Sequence, residues 1–144
     1  MILTDKQIRE LGIIAENFSE DCLTPNGYDL RVDFSKDIIF VRRKHKQILT
    51  MEYLKLPPNI IGRICIRSSF AALGLIGSFG VVDAGFEGKL RLNFFSVWDD
   101  VLVAPGERTA QIVFEETKGN VEKTYAQRSG NYQGQREILA PIKS

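Results

Sequence analysis

The sequence predicts an all-β sandwich, jelly roll or barrel with a few short helices, and three observations predict it. Six short alternating or apolar runs follow one another along the chain: Tyr28–Val32, Asp37–Val41, Ile60–Ile66, Lys89–Phe95, Val101–Ala104 and Thr109–Phe114. Gly, Pro, Asn or Asp flanks each of them, which is the chemistry of tight turns between strands. The helical signals, by contrast, are brief.

The first element is a short helix. Thr4 followed by Gln7 reads as a capping box, and Ile8, Leu11 and Ile14 are spaced to line one helical face. The basic run Arg42-Arg43-Lys44-His45-Lys46 then reads as a solvated turn between two strands. Pro57-Pro58-Asn59 fixes an extended entry to the central strand, and Ser68–Leu73 forms a helical turn that Gly74 and Gly77 keep short. Pro105-Gly106 makes a tight turn before the last strand. From about Lys118 the apolar period fades into a polar arm with Tyr125, Tyr132, Gly130 and Gly134. Such a segment is either disordered or folds over a ligand or a neighbouring subunit.

The 144 residues, 44% of them hydrophobic, form one domain with a core of its own, the arm spanning about 118–144. Nineteen basic side chains against 18 acidic ones leave no electrostatic footprint for nucleic acid or a membrane surface. No apolar run nears the roughly 20 residues of a membrane span, and the start lacks the pattern of an export signal. Cys22 and Cys65 lie outside any C-x-x-C pattern, which argues against a disulfide framework or a zinc site and for a cytoplasmic protein.

Three segments have the residue types that chemistry needs. Gly80-Val81-Val82-Asp83-Ala84-Gly85-Phe86-Glu87-Gly88 places one carboxylate after small and apolar residues, so Asp83 is expected in a partly dry place as a base, or else bonded to its own turn backbone in a β-hairpin. Phe86 offers a flat face to a sugar or base. Arg67-Ser68-Ser69 leaves a strand and enters a helical turn, where a guanidinium, two hydroxyls and backbone N–H groups suit an anion; Gln111 adds an amide donor. The plainer reading of Arg67-Ser68-Ser69 is a cap with a surface charge. Asp29 and Arg31 on the strand after Pro25-Asn26-Gly27 read as a site pair or as an exposed ion pair. With one histidine, in a basic loop, a histidine-based triad is not expected, and no Walker or Rossmann glycine pattern is present.

Taken in order, these segments resemble the motif series of the trimeric dUTPase and dCTP deaminase superfamily. Gly27–Arg31 resembles the first motif, Arg67–Ser69 the second, Gly80–Gly88 the third, Pro105–Gln111 the fourth and Tyr132–Gln135 the C-terminal one. The opening Leu3–Glu10, Arg67–Leu75 and Tyr-Gln-Gly-Gln are similar to the deaminase branch in particular. The resemblance implies a dUTPase-like distorted jelly roll or β-barrel that forms homotrimers with sites at subunit boundaries.

The resemblance also bears on the reaction. The deaminase branch has an arginine where Ala72 stands and a catalytic glutamate where Asn93 stands, and both are missing here. Gly80-Val81-Val82-Asp83 instead resembles the dUTPase segment whose aspartate positions the attacking water. The implied function is hydrolysis of dUTP to dUMP and pyrophosphate, with Asp83 as base and Arg67, Ser68, Ser69 and Gln111 on the phosphates. Gly80 and Val82 would read uracil through the backbone of a hairpin from Gly77 to Val82. Phe86 would lie under the deoxyribose, and Tyr132 and Gln135 would close over the nucleotide. Mg²⁺ is held mostly by the triphosphate, with Asp29 touching it through water. The rivals are a dCTP deaminase or bifunctional deaminase–dUTPase, and a nucleotide-binding regulatory protein without turnover.

Overall fold

The computed structural model describes residues 1–33 and 35–138. The last residues of the predicted arm, 139–144, lie outside the described residues.

Helix α1, Asp5–Leu11, starts where the capping box predicts, with Gln7 Oε1 accepting the Thr4 N–H at 3.0 Å. It is shorter than the apolar spacing implies. Gly12 adopts φ 61° and stops it, Leu11 is half exposed, and Ile14 starts a strand instead of extending the helical face. Only Ile8 is buried from the helix.

Ten further strands follow β1 (Ile14–Glu16): β2 (Leu23–Thr24), β3 (Gly27–Arg31), β4 (Ile38–Phe40), β5 (His45–Lys55), β6 (Ile60–Ile66), β7 (Leu75–Ser78), β8 (Val81–Val82), β9 (Glu87–Ser96), β10 (Val101–Val103) and β11 (Arg108–Glu116). Helix α2 (Ser68–Ala72) separates β6 from β7, and α3 (Tyr125–Arg128) follows β11. The ladders are antiparallel and give a four-stranded sheet β1-β5-β9-β7, a five-stranded sheet β2-β3-β11-β6-β8 and a small pair β10-β4. One core cluster joins them, with Tyr28, Leu30, Ile112 and Phe114 from one large sheet and Leu54, Leu92 and Phe94 from the other. Each such side chain contributes on the order of 1.5–3 kcal/mol through burial.

Strand β9 alternates as a strand with one face in the core: Leu90, Leu92 and Phe94 point in, while Lys89, Arg91 and Asn93 are only half covered. Strand β5, the longest, is missing from the sequence reading. Its inward positions include Thr50 and Glu52, both fully buried, so the expected apolar alternation fails there. Both polar groups have partners. The β5–β9 register shifts between Leu49 and Tyr53, and Thr50 Oγ1 takes up the Leu90 N–H left by that irregularity at 2.9 Å. Glu52 ties the two large sheets together, accepting from Arg31 Nε at 2.8 Å and from the Arg31 N–H at 3.0 Å. Burial pushes the Glu52 carboxyl up from its ordinary value, while the same pair holds Arg31 in its charged form.

The basic run does make a turn between two strands, closed by Lys44 N–H to the Val41 carbonyl, but His45 and Lys46 already belong to β5. The predicted hairpin from Gly77 to Val82 does not form. Strand β7 pairs with β9 and β8 pairs with β6, so the chain crosses from one sheet to the other between Ser78 and Val81. The Phe79 ring folds back over Gly77, where a Cβ would fall 2.0 Å from it, so this position has room only for glycine.

Candidate active site

The predicted residues separate into two groups. The first lines a cleft of about 280 Å³ between β8, β9 and the C-terminal segment, and contains Gly80, Val82, Asp83, Phe86, Tyr132 and Gln135. The second, Asp29, Arg67, Ser68, Ser69 and Gln111, lies at the far end of β6 and its neighbours.

Asp83 follows directly on β8, and its carbonyl accepts the Phe86 N–H at 3.0 Å to close a turn with Gly85 at φ +83°. That conformation requires glycine in practice. The carboxylate is exposed at the cleft mouth, contrary to the expected dry setting. The reason is local: β8 is a two-residue edge strand, Gly80 and Gly85 have no side chain, and Ala84 has only a buried methyl. Nor does the Asp83 side chain bond its own turn; it has no hydrogen bond or ion pair among the described residues. It is the only carboxylate lining the cleft among them.

Phe86 also differs from expectation. Its side chain is buried, and the Tyr125 ring meets it edge-on with centroids 5.3 Å apart, so it forms a wall and not an open platform. The described part of the C-terminal segment is well tied to the rest of the chain. Gln135 forms a parallel bridge with Gly88, its carbonyl accepts the Lys89 N–H at 2.7 Å, and its amide nitrogen donates to the Lys89 carbonyl at 3.0 Å. A carbonyl can only accept, so the amide NH₂ must face it. This leaves Gln135 Oε1, buried at the cleft with no partner in the protein. Such an orphan acceptor suits a ligand N–H. Arg91 stands 4.6 Å from the Tyr132 ring centroid, and the Tyr132 N–H donates to the Tyr125 hydroxyl at 2.9 Å.

Sequence reasoning missed several participants. Gln133 clamps the Asp83 turn, accepting the Glu87 N–H at 3.0 Å and donating to the Gly85 carbonyl at 3.2 Å. Arg91 lines the cleft from β9, its outward strand phase being the signal that could have found it, beside Asn93, which the sequence marks only as standing where the deaminase branch has its glutamate. Asn93 Oδ1 lies 3.0 Å from His45 Nε2 on the neighbouring strand.

In the second group, Arg67 is fixed by its backbone as well as its side chain. Its N–H donates to the Thr109 carbonyl, Nη1 donates to the Arg108 carbonyl at 3.0 Å, and Nε stands 3.5 Å from Asp29 Oδ2. Arg108 Nη1 lies 3.8 Å from the same oxygen. Two guanidiniums around one carboxylate leave a positive surplus, with the exposed Ser68 and Ser69 hydroxyls beside it, and this arrangement suits phosphate oxygens. Gln111 is less available than expected, since its amide nitrogen donates to Thr24 Oγ1 at 2.8 Å.

The Asp29 carboxylate, predicted to touch Mg²⁺ through water, is buried beside two guanidiniums, whose charge opposes a divalent ion bound directly to it.

The two groups do not meet within the chain. Val82, next to Asp83, pairs with Gly62, and Arg67 is five residues further along the same strand direction, about 16 Å at 3.3 Å per residue. The Asp83 group and the Arg67 group therefore lie on separate surfaces. No helix among the described residues is long and apolar enough to cross a membrane.

Residues 47–117 match the family model described as dCTP deaminase-like. The chain is 39% identical to a dCTP deaminase of Thermococcus gammatolerans, with 96% of this chain and 94% of that protein covered. It is 32% identical to a probable deoxyuridine 5′-triphosphate nucleotidohydrolase of Sulfolobus islandicus rod-shaped virus 1, with 96% of each covered. Among solved structures, the 2′-deoxycytidine 5′-triphosphate deaminase of Agrobacterium tumefaciens shares the fold with a TM-score of 0.71 at 22% identity, over 80% of this chain and 47% of that one.

Proposed function

The chain belongs to the dUTPase and dCTP deaminase family, and from that premise we propose that this member hydrolyses dUTP to dUMP and pyrophosphate. One observation carries the reading: Asp83 is the only carboxylate lining the cleft among the described residues, and position 93 holds an uncharged amide. Hydrolysis asks for a single base. Deamination asks a group to move protons both from water and to the departing ammonia, a task the Asn93 amide cannot share.

In the proposed reaction Asp83 takes a proton from water as the water oxygen bonds to the α-phosphorus. The bridging bond to the β-phosphate breaks, and pyrophosphate departs. Arg67, with Ser68 and Ser69, holds phosphate oxygens while charge shifts to the leaving group. The pyrimidine occupies the cleft beside Gly80 and Val82, where Gln135 Oε1 accepts a ring N–H. Mg²⁺ enters as part of the triphosphate substrate, and no step runs through a protein-held metal.

The rise of roughly 16 Å from Gly62, the partner of Val82, to Arg67 keeps the two groups apart within one chain. A second copy of the chain must bring its Arg67 surface to this cleft, which supports the homotrimeric arrangement that the family resemblance implies. The exposed Asp83 is then covered at a subunit boundary.

A second reading, dCTP deamination, has its own support: relatives 37–40% identical over nearly the whole chain bear that name, and they favour it over hydrolysis. Reaction in ¹⁸O-labelled water tests the proposal. Label in dUMP and not in pyrophosphate is expected; label in pyrophosphate, or no cleavage of dUTP, overturns it.

A further inference from the structure

Asn93 stands between two hollows. One is the cleft shared with Asp83; the other, of about 330 Å³, is lined by His45, Ile76, Ser78 and Phe95. Strand register explains the pairing: His45 is opposite Phe95 across the β5–β9 ladder, which makes it the diagonal neighbour of Asn93 on the same face. His45 Nε2 and Asn93 Oδ1 are 3.0 Å apart, and Asn93 Nδ2 has no partner among the described residues.

An amide held by its oxygen presents its NH₂ elsewhere. Both the imidazolium and the Nε2–H form of neutral histidine donate to Oδ1, so either one fixes the Asn93 amide in this sense. We infer that His45 is a specificity-determining residue, holding the Asn93 NH₂ toward the cleft as a donor to the O4 carbonyl of uracil that the N4 amino group of cytosine cannot accept. The inference rests on the base occupying the cleft, as proposed above. Uracil and cytosine differ only along their N3–C4 edge, so a fixed donor there separates them, and two facing NH₂ groups leave both donors unpaired. His45 acts through Asn93 and does not touch the substrate; it is a positioning residue.

Equilibrium binding of the α,β-imido analogues of dUTP and dCTP to the full chain tests the inference. The wild type is expected to bind the dUTP analogue about tenfold more tightly or better, the scale of one hydrogen bond made against one refused. His45→Leu should lower that preference about tenfold. His45→Gln, whose amide N–H reaches about as far as histidine Nε2, should restore most of it, which a merely structural role for the ring would not do. Asn93→Asp presents acceptors alone and should turn the preference toward dCTP. An unchanged ratio in His45→Leu, equal loss in His45→Gln, or a wild-type preference for the dCTP analogue overturns the inference. Pyrophosphate release from dUTP is scored in parallel. Selective binding without release sinks the hydrolysis reading and leaves this one standing, while release with a ratio indifferent to His45 does the reverse.

Discussion

The buried carboxylate of Asp29 holds the guanidinium of Arg67, with Oδ2 and Nε 3.5 Å apart, although Asp29 lies on β3 and Arg67 follows the end of β6, two strands away in the five-stranded sheet. Strand β11 lies between β3 and β6, so this contact reaches across it and sets Arg67 against Arg108 at the surface. Asp29 thus orders the two guanidiniums, and in the proposed reaction it does not itself approach the phosphates. Asp29→Asn should raise the KM for a triphosphate about tenfold, with a smaller change in kcat, because a charge-assisted contact is weakened without removing Arg67. Steady-state kinetics check this, and an unchanged KM would separate Asp29 from the site.

Asp83→Asn should lower kcat by about 10²–10⁴, the usual contribution of a general base, and leave nucleotide affinity nearly as it was. Single-turnover rates with a parallel binding titration distinguish the two effects. Near-normal turnover would take Asp83 out of the mechanism.

Gly85→Ala should destabilise the domain by about 1–2 kcal/mol through its left-handed backbone alone, and several degrees in Tm follow. The new Cβ also falls 2.7 Å from Thr124 Cβ, at the start of α3. Hydrogen exchange across Tyr125–Arg128 should therefore rise together with the fall in Tm.

Glu52→Gln tests the tie between the sheets through pH. Burial raises the folded-state pKa of Glu52 above its ordinary 4.5, so the unfolded chain ionises first as pH rises. The stability this group contributes is present below about 4.5 and lost as pH climbs through the raised value. The Tm of wild type minus that of Glu52→Gln should fall over that window. A difference independent of pH would place the Glu52 titration outside the folding equilibrium.

Turn chemistry and two-residue alternation made most of the fold legible: Ile60–Ile66 is a strand from end to end, and the other five predicted runs differ from strands by one to three residues at their ends. Strand β5 was not, because Thr50 and Glu52 occupy core-facing positions for reasons that lie on other strands: a bare Leu90 N–H and the Arg31 guanidinium. The six cleft residues named from the sequence do lie together. What the motifs could not give is depth. Phe86 is buried because Tyr125, some 40 positions later, covers it, and Asp83 is exposed because its neighbours are too small to shield it. Asn93 was visible only as a departure from a pattern; its bond to His45 depends on the β5–β9 register, which no local signal specifies.

The most direct measurement offers dUTP and dCTP side by side to the full-length protein and identifies every product. Release of dUMP and pyrophosphate from dUTP, with dCTP left intact, is the predicted result. Ammonia from dCTP while dUTP stays whole would contradict it.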